Sequence, residues 1–296
     1  MKKLLLVIVG GLIGSFALAQ QLPQTTLYFT NPFIYNPAVA GVHDYWDAQF
    51  NSRFQWAGIN DAPRMHYLTA HGPLKNLKMG LGGTIFADIT GPTRRTGFNA
   101  AYSYKLQITE DLRLGMGIEA GILQYITDGS QITLKDGDDP ALSNGLQSVV
   151  TPNATVGFHL YTDEYYFGFS VPQIIGNQLR FFDDFTDSEA RLNRHLFVYG
   201  GYKFIINDQF AIEPSALVKY VDPVPVQWEM NVRAFYKNAF WIGGSYRMDD
   251  ALALTLGYIY QDLLSIAYAY DYSTTELSTY SSGSHEIVLG IRFAQR

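Results

Sequence analysis

From Val226 to Tyr272 nearly every even-numbered residue is apolar or aromatic, and most odd-numbered ones are polar or small. A period of two sends successive side chains to opposite faces of an extended chain, so this stretch is β-structure with one apolar face. Breaks at Lys237-Asn238, Asp249-Asp250 and Gln261-Asp262 divide it into four strands. Parity survives each break. Residues paired across a hairpin share a face, so each loop must hold an odd number of residues, most simply three.

A soluble sheet with one wet face shows similar alternation, and the aromatic residues separate the two cases. Trp228, Tyr236, Phe240, Tyr258, Tyr260, Tyr268, Tyr270 and Tyr272 are read towards strand ends, while Met230, Val232, Ile242, Leu254 and Ile266 lie nearer the middles. That is the girdle-and-band pattern of a transmembrane β-barrel. Composition agrees: the chain has 21 Tyr, 19 Phe and 4 Trp, and only 16% of it is charged, below the quarter usual for soluble domains. A net charge of −6 makes nucleic acid an unsuitable partner.

Met1-Lys2-Lys3, the apolar run from Leu4 to Phe16 and the small-residue site Ala17-Leu18-Ala19 read as a signal peptide, residues 1–19, cleaved after Ala19. Beyond it no apolar run reaches the eighteen or so residues of a membrane-spanning helix, so the mature chain crosses as a barrel. The absence of cysteine removes disulfides and cysteine-ligated metals from consideration. Residues 20–45 show no period and carry Asn31-Pro32 and Asn36-Pro37, which marks them as an ordered coil, with the barrel occupying 46–296.

Alternation elsewhere gives ten more strands, for an all-β barrel of fourteen antiparallel strands. They are read at Trp46–Trp56, Arg64–Gly72, Leu77–Asp88, Phe98–Leu106, Leu112–Ile122, Val150–Tyr161, Tyr165–Val171, Arg194–Ile206, Gln209–Val221 and, after the four above, Ser284–Phe293. Long connections follow strands 5, 7 and 13, and every connection after an even strand is short. Outer-membrane barrels obey this rule when their termini are periplasmic; a soluble sandwich has no reason to. Fourteen strands close to a backbone diameter of roughly 28 Å. Side chains alone underfill such a lumen, so the coil is a candidate plug, with Asn36, Pro37, Ala38 and Gly41 in its stiffest part.

Several segments together resemble the PorP/SprF family of outer-membrane proteins of type IX secretion and gliding motility in the Bacteroidota. They are Tyr35-Asn36-Pro37-Ala38-Val39-Ala40-Gly41, Arg53-Phe54-Gln55-Trp56-Ala57-Gly58 with Ala62-Pro63, Ser245-Tyr246-Arg247, Tyr268-Ala269-Tyr270-Asp271 and Ser282-Gly283-Ser284-His285-Glu286-Ile287. The resemblance spans the mature chain. It implies a barrel that works with other type IX secretion components and binds, anchors or helps export a large secreted surface protein or adhesin through that protein's C-terminal domain. It implies no catalysis. A diffusion channel or hydrophobic-solute transporter is the competing reading that the strand number permits.

Candidate chemical sites are sparse. His66 and His71 fall on opposite faces of one strand, which is poor for a metal. Ser284-His285-Glu286 has the letters of a hydrolase triad, but adjacent strand residues point apart. The acidic loop segments Lys135-Asp136-Gly137-Asp138-Asp139-Pro140 and Asp183-Asp184, with Asp187, are read as solvated surface; weak Ca²⁺ ligation is the competing reading, and no other cofactor is expected. Parity places Arg53, Glu119, Glu213, Glu229, Arg233, Arg247, Asp271 and Glu286 on the luminal face. Closing the barrel pairs strand fourteen with strand one, gathering Arg53, Gln55, Trp56, Arg64, Arg247, Asp271, His285 and Glu286 on one arc of the extracellular mouth. This arc either seats a partner or locks the seam.

Overall fold

The computed structural model describes residues 22, 24–131, 145–177 and 192–294. The leader, the Lys135–Pro140 segment and Asp183, Asp184 and Asp187 lie outside the described residues. No described helix is long and apolar enough to cross a membrane; the wall is made of strands.

The strands are β1 (Trp46–Phe54), β2 (Arg64–Pro73), β3 (Met79–Thr90), β4 (Thr93–Gln107), β5 (Arg113–Asp128), β6 (Leu146–Tyr161), β7 (Tyr165–Val171), β8 (His195–Tyr202), β9 (Phe210–Val221), β10 (Val224–Tyr236), β11 (Phe240–Arg247), β12 (Ala251–Tyr260), β13 (Leu264–Ser273) and β14 (Ser284–Phe293). A further two-residue piece, Phe204–Ile205, continues β8 past Lys203 along β9. Each strand pairs antiparallel with its sequence neighbours, and β14 pairs with β1 from Trp46↔Phe293 to Phe54↔His285, so the sheet is closed and has no free edge.

The loops joining β10 to β11, β11 to β12 and β12 to β13 hold three residues each, as parity requires. Lys237, Asn238, Asp249, Gln261 and Asp262 supply their left-handed backbone. All connections after even strands have five residues or fewer. We call that the short-turn end, and the other the long-loop end.

Outward side chains such as Met230, Val232, Leu254, Ile266, Ile118 and Ile122 are about half exposed or more. Aromatic pairs rim this band, Phe210 with Tyr236 at the short-turn end and Trp228 with Tyr246 at the long-loop end. The sequence reading needs correction at the tops of β4, β5 and β6. They extend to Thr93, Asp128 and Leu146, several residues past where apolar alternation stops. The physical reason is that the hydrogen-bonded ladder continues above the lipid, where regular alternation of the outward residues is no longer required.

Candidate functional site

The lumen holds residues 24–42. The chain starts beside the long-loop end: Leu22 lies against His195, the first residue of β8, and Val221, the last of β9. It then runs the length of the lumen through 3-10 turns at Pro32–Ile34 and Pro37–Val39, and leaves at the short-turn end to begin β1. Thr26, Leu27, Asn36, Ala38 and Ala40 are fully buried.

At the seam the coil meets a charge cluster. Arg53 of β1 contacts Asp271 of β13 at 2.7 Å and Glu286 of β14 at 3.1 Å. Arg247 of β11 contacts Glu229 of β10 at 2.9 Å, Asp250 at 3.0 Å and Asp271 at 3.2 Å. Small inward residues on β12 and β13, Ala251 and the fully buried Ala269, leave room for these long side chains to meet. Thr26 is the hub. Its Oγ1 donates to Asp271 at 2.7 Å and accepts from Arg53 at 2.9 Å and Arg247 at 2.7 Å, which saturates a hydroxyl's one donor and two acceptor positions. The backbone N–H groups of Thr26 and Leu27 donate to Glu286 at 2.7 and 3.4 Å. Two guanidinium groups thus contact four carboxylates, and the coil's N–H groups supply further donors to Glu286.

Midway, Asn31 donates to Asn51 and Thr69, both at 2.9 Å. Phe29 packs edge-on to Trp241, with the Arg233 guanidinium 4.2 Å from its ring centre, and Arg233 is in turn ion-paired to Glu213. Ser170 donates to the Tyr35 carbonyl at 2.7 Å.

The far wall holds the coil by shape. The Asn36 side chain accepts from the Ala38 amide at 3.0 Å, capping the second 3-10 turn, and donates to the Phe158 carbonyl at 2.8 Å. Opposite it the inward positions of three strands are glycine. A Cβ at Gly80 of β3 would strike the Ala40 carbonyl, at Gly117 of β5 the Ala38 amide, and at Gly157 of β6 the Asn36 side chain. Ser103 and Lys105 donate to the Ala40 and Gly41 carbonyls. This glycine track is absent from the sequence-based site, although glycine at inward parity in Gly115-Met116-Gly117 was its signal. Below the coil a vestibule of about 560 Å³ opens at the short-turn end; a cavity of about 60 Å³ lies on the coil's other side, lined in part by Phe33, Arg95 and Glu119.

Of the expected arc, Arg53, Arg247, Asp271 and Glu286 come together, each 2% exposed or less. Gln55 and Trp56 lie past the end of β1, in a loop stitched to the start of β14 by Trp56 N–H to Ser284 Oγ at 3.0 Å and Ala57 N–H to the Gly283 carbonyl at 2.7 Å. Arg64 and His285 face outward, His285 against Tyr268 at 2.7 Å. Among the described residues, no group of three His, Asp or Glu side chains is placed to hold a metal.

The fold is similar to that of a solved outer membrane protein, Omp33 of Acinetobacter baumannii, with 9% identity, a TM-score of 0.50, and 86% of this chain and 100% of that one covered. The Pseudomonas putida toluene transporter TodX matches at 10% identity and TM-score 0.49, over 88% and 92% of the two chains. The CymD monoaromatic hydrocarbon channel matches at 13% and 0.48, over 88% and 91%. A search of curated proteins finds no match. The family model described as type IX secretion system membrane protein PorP/SprF matches residues 17–291.

Proposed function

Because the chain belongs to the PorP/SprF family of type IX secretion system membrane proteins, and is an outer-membrane β-barrel, we propose that it acts as a closed accessory barrel of that apparatus. In this reading it is exported by a leader cleaved after Ala19 and performs no catalysis. It binds, anchors or assists export of a large secreted surface protein through that protein's C-terminal domain, together with other components of the machinery.

The observation that carries the reading is the lumen crossed along its length by the chain's own residues 24–42, hydrogen-bonded to β1, β2, β4, β6, β7, β11, β13 and β14 of the wall. A barrel closed in this way works through its surfaces. Gln55 and Trp56, in the loop over the seam, are where a partner reaches it; Arg53, Arg247, Asp271 and Glu286 act beneath them by fixing the coil and the loop.

Planar-bilayer recordings test the closed lumen. The full mature chain is expected to show little steady conductance, and a variant lacking 31–41 to conduct steadily while still migrating as a folded barrel. Steady conductance of the full chain would favour the channel reading instead. Affinity purification from the native cells, with Gln55→Ala and Trp56→Ala as comparison, tests the partner: the secreted protein should co-purify with the parent chain and be depleted from the variants.

A further inference from the structure

Arg64 and Arg94 are cations that the lumen does not use. Both are exposed, and both stand on the outside of the wall at the long-loop end. The register puts them either side of one residue, Arg64↔Ile89 between β2 and β3 and Ile89↔Arg94 between β3 and β4, two strand spacings or roughly 10 Å apart. Neither is ion-paired to a described carboxylate; the neighbouring Asp88 points inward, to Arg95 at 3.3 Å. Two such arginines side by side on the outer wall, with their planar donors free of any described carboxylate, form an arrangement suited to an anion.

Below them lie two further rows on the same face. The first, His66, Ala87, Thr96 and Gln124, is polar or small. The next, Leu68, Ile85, Phe98 and Ile122, is bulky and apolar. Because Ala87 and Thr96 are short, these rows enclose a groove of about 530 Å³ in the outer wall, lined mostly by apolar atoms. Rows on one face are about 7 Å apart along the strands, so the groove begins directly beneath the arginines. Cations above and a mostly apolar groove directly below match the order of phosphate and acyl chain in a lipid.

We propose that this patch is a binding site for a phosphorylated, multi-acylated lipid of the outer leaflet. The phosphate sits between Arg64 and Arg94, whose planar donors suit it, and one acyl chain lies in the groove over Ala87. The site is independent of the lumen and of whatever protein the barrel serves.

The test uses the mature barrel, stripped of lipid in mild detergent, with diphosphorylated lipid A added and retention read by native mass spectrometry. One tightly held lipid is expected on the parent chain, with at least tenfold lower retention for the double variant R64Q/R94Q. Ala87→Phe fills the groove floor without touching charge and should lower retention while both arginines remain. Dephosphorylated lipid A should bind the parent and R64Q/R94Q equally weakly. Inorganic phosphate at matched concentration should not displace the lipid; displacement would mean that the arginines bind phosphate alone and would overturn the lipid assignment. Equal retention by the parent and A87F, or equal binding of the two lipid A forms to the parent, would overturn it too. Folding is checked by heat-modifiable migration, and A87F with the two lipid forms decides the matter if R64Q/R94Q does not fold.

Discussion

Thr26 and the stretch from Asn36 to Gly41 are two ends of one coil, yet the barrel holds them by different physics. Around Thr26 the contacts are charged, short and numerous, and they come from β1, β11, β13 and β14. Around Asn36 to Gly41 they are mostly backbone contacts, made possible by glycines on β3, β5 and β6. A charge cluster is unforgiving: removing one buried member leaves the others desolvated and unpaired, at a cost of about 3–5 kcal/mol. A steric track leaves no such charge behind when it is blocked. The seam anchor should therefore be tied to barrel closure, and the glycine anchor to occupancy of the lumen alone.

Arg247→Glu is the harshest way to break that distinction. It replaces the partner of Glu229, Asp250 and Asp271 with a fifth carboxylate on strands that must close beside β14 and β1. The expected outcome is loss of heat-modifiable migration on semi-native gels. A barrel that still forms and still shows little conductance would mean that the cluster does not lock the seam.

Gly117→Leu comes next and probes the opposite anchor. The added side chain would occupy the space of the Ala38 amide, so the coil must leave while the outward face of β5 is untouched. A folded barrel with raised bilayer conductance is expected. Gly83→Ala is the control, because a Cβ there meets nothing closer than the Asn99 carbonyl at 3.6 Å. If Gly117→Leu abolishes folding as Arg247→Glu does, the two anchors are not separable.

The two regions also differ in how far the sequence disclosed them. Period two fixes which residues face the lumen, so the inward placement of Arg53, Arg247, Asp271 and Glu286 follows from parity, as do the three-residue turns at Lys237 and Gln261. Thr26 was invisible because it lies in a coil without period, 245 residues from Asp271 in sequence; only the closed wall brings them together. The tops of β4 and β5 were missed for a related reason, since alternation reports the lipid boundary and not the end of the ladder. The loop that carries Gln55 and Trp56 is tied to the seam through the backbone N–H groups of Trp56 and Ala57, which side-chain patterns do not encode.

Thr26→Val sharpens the comparison at the seam with a smaller change. Valine keeps the shape and removes the hydroxyl that three charged groups share, while Thr26→Ser keeps it. A loss of about 1–3 kcal/mol is expected for valine and little for serine, read from urea unfolding of the barrel in detergent. Equal effects of the two would place the contribution of Thr26 in its methyl group and remove it as the hub.

The smallest effect is expected midway, at Asn31→Ala. Asn31 donates to Asn51 and Thr69, so the variant loses two hydrogen bonds of about 1 kcal/mol each, partly offset because both acceptors are hydroxyl or amide groups that a water can reach once the side chain is gone. The coil on either side is still fixed, by the charge cluster above and by the glycine track below. Two fixed ends keep the segment between them in place, because the freed residues gain little volume to explore in a lumen already occupied by Phe29 and Phe33. The bilayer trace of Asn31→Ala should therefore match that of the parent chain, with only a slight fall in unfolding midpoint. A variant that opened steadily would show that the middle of the coil carries the closure, and that neither anchor is sufficient without it.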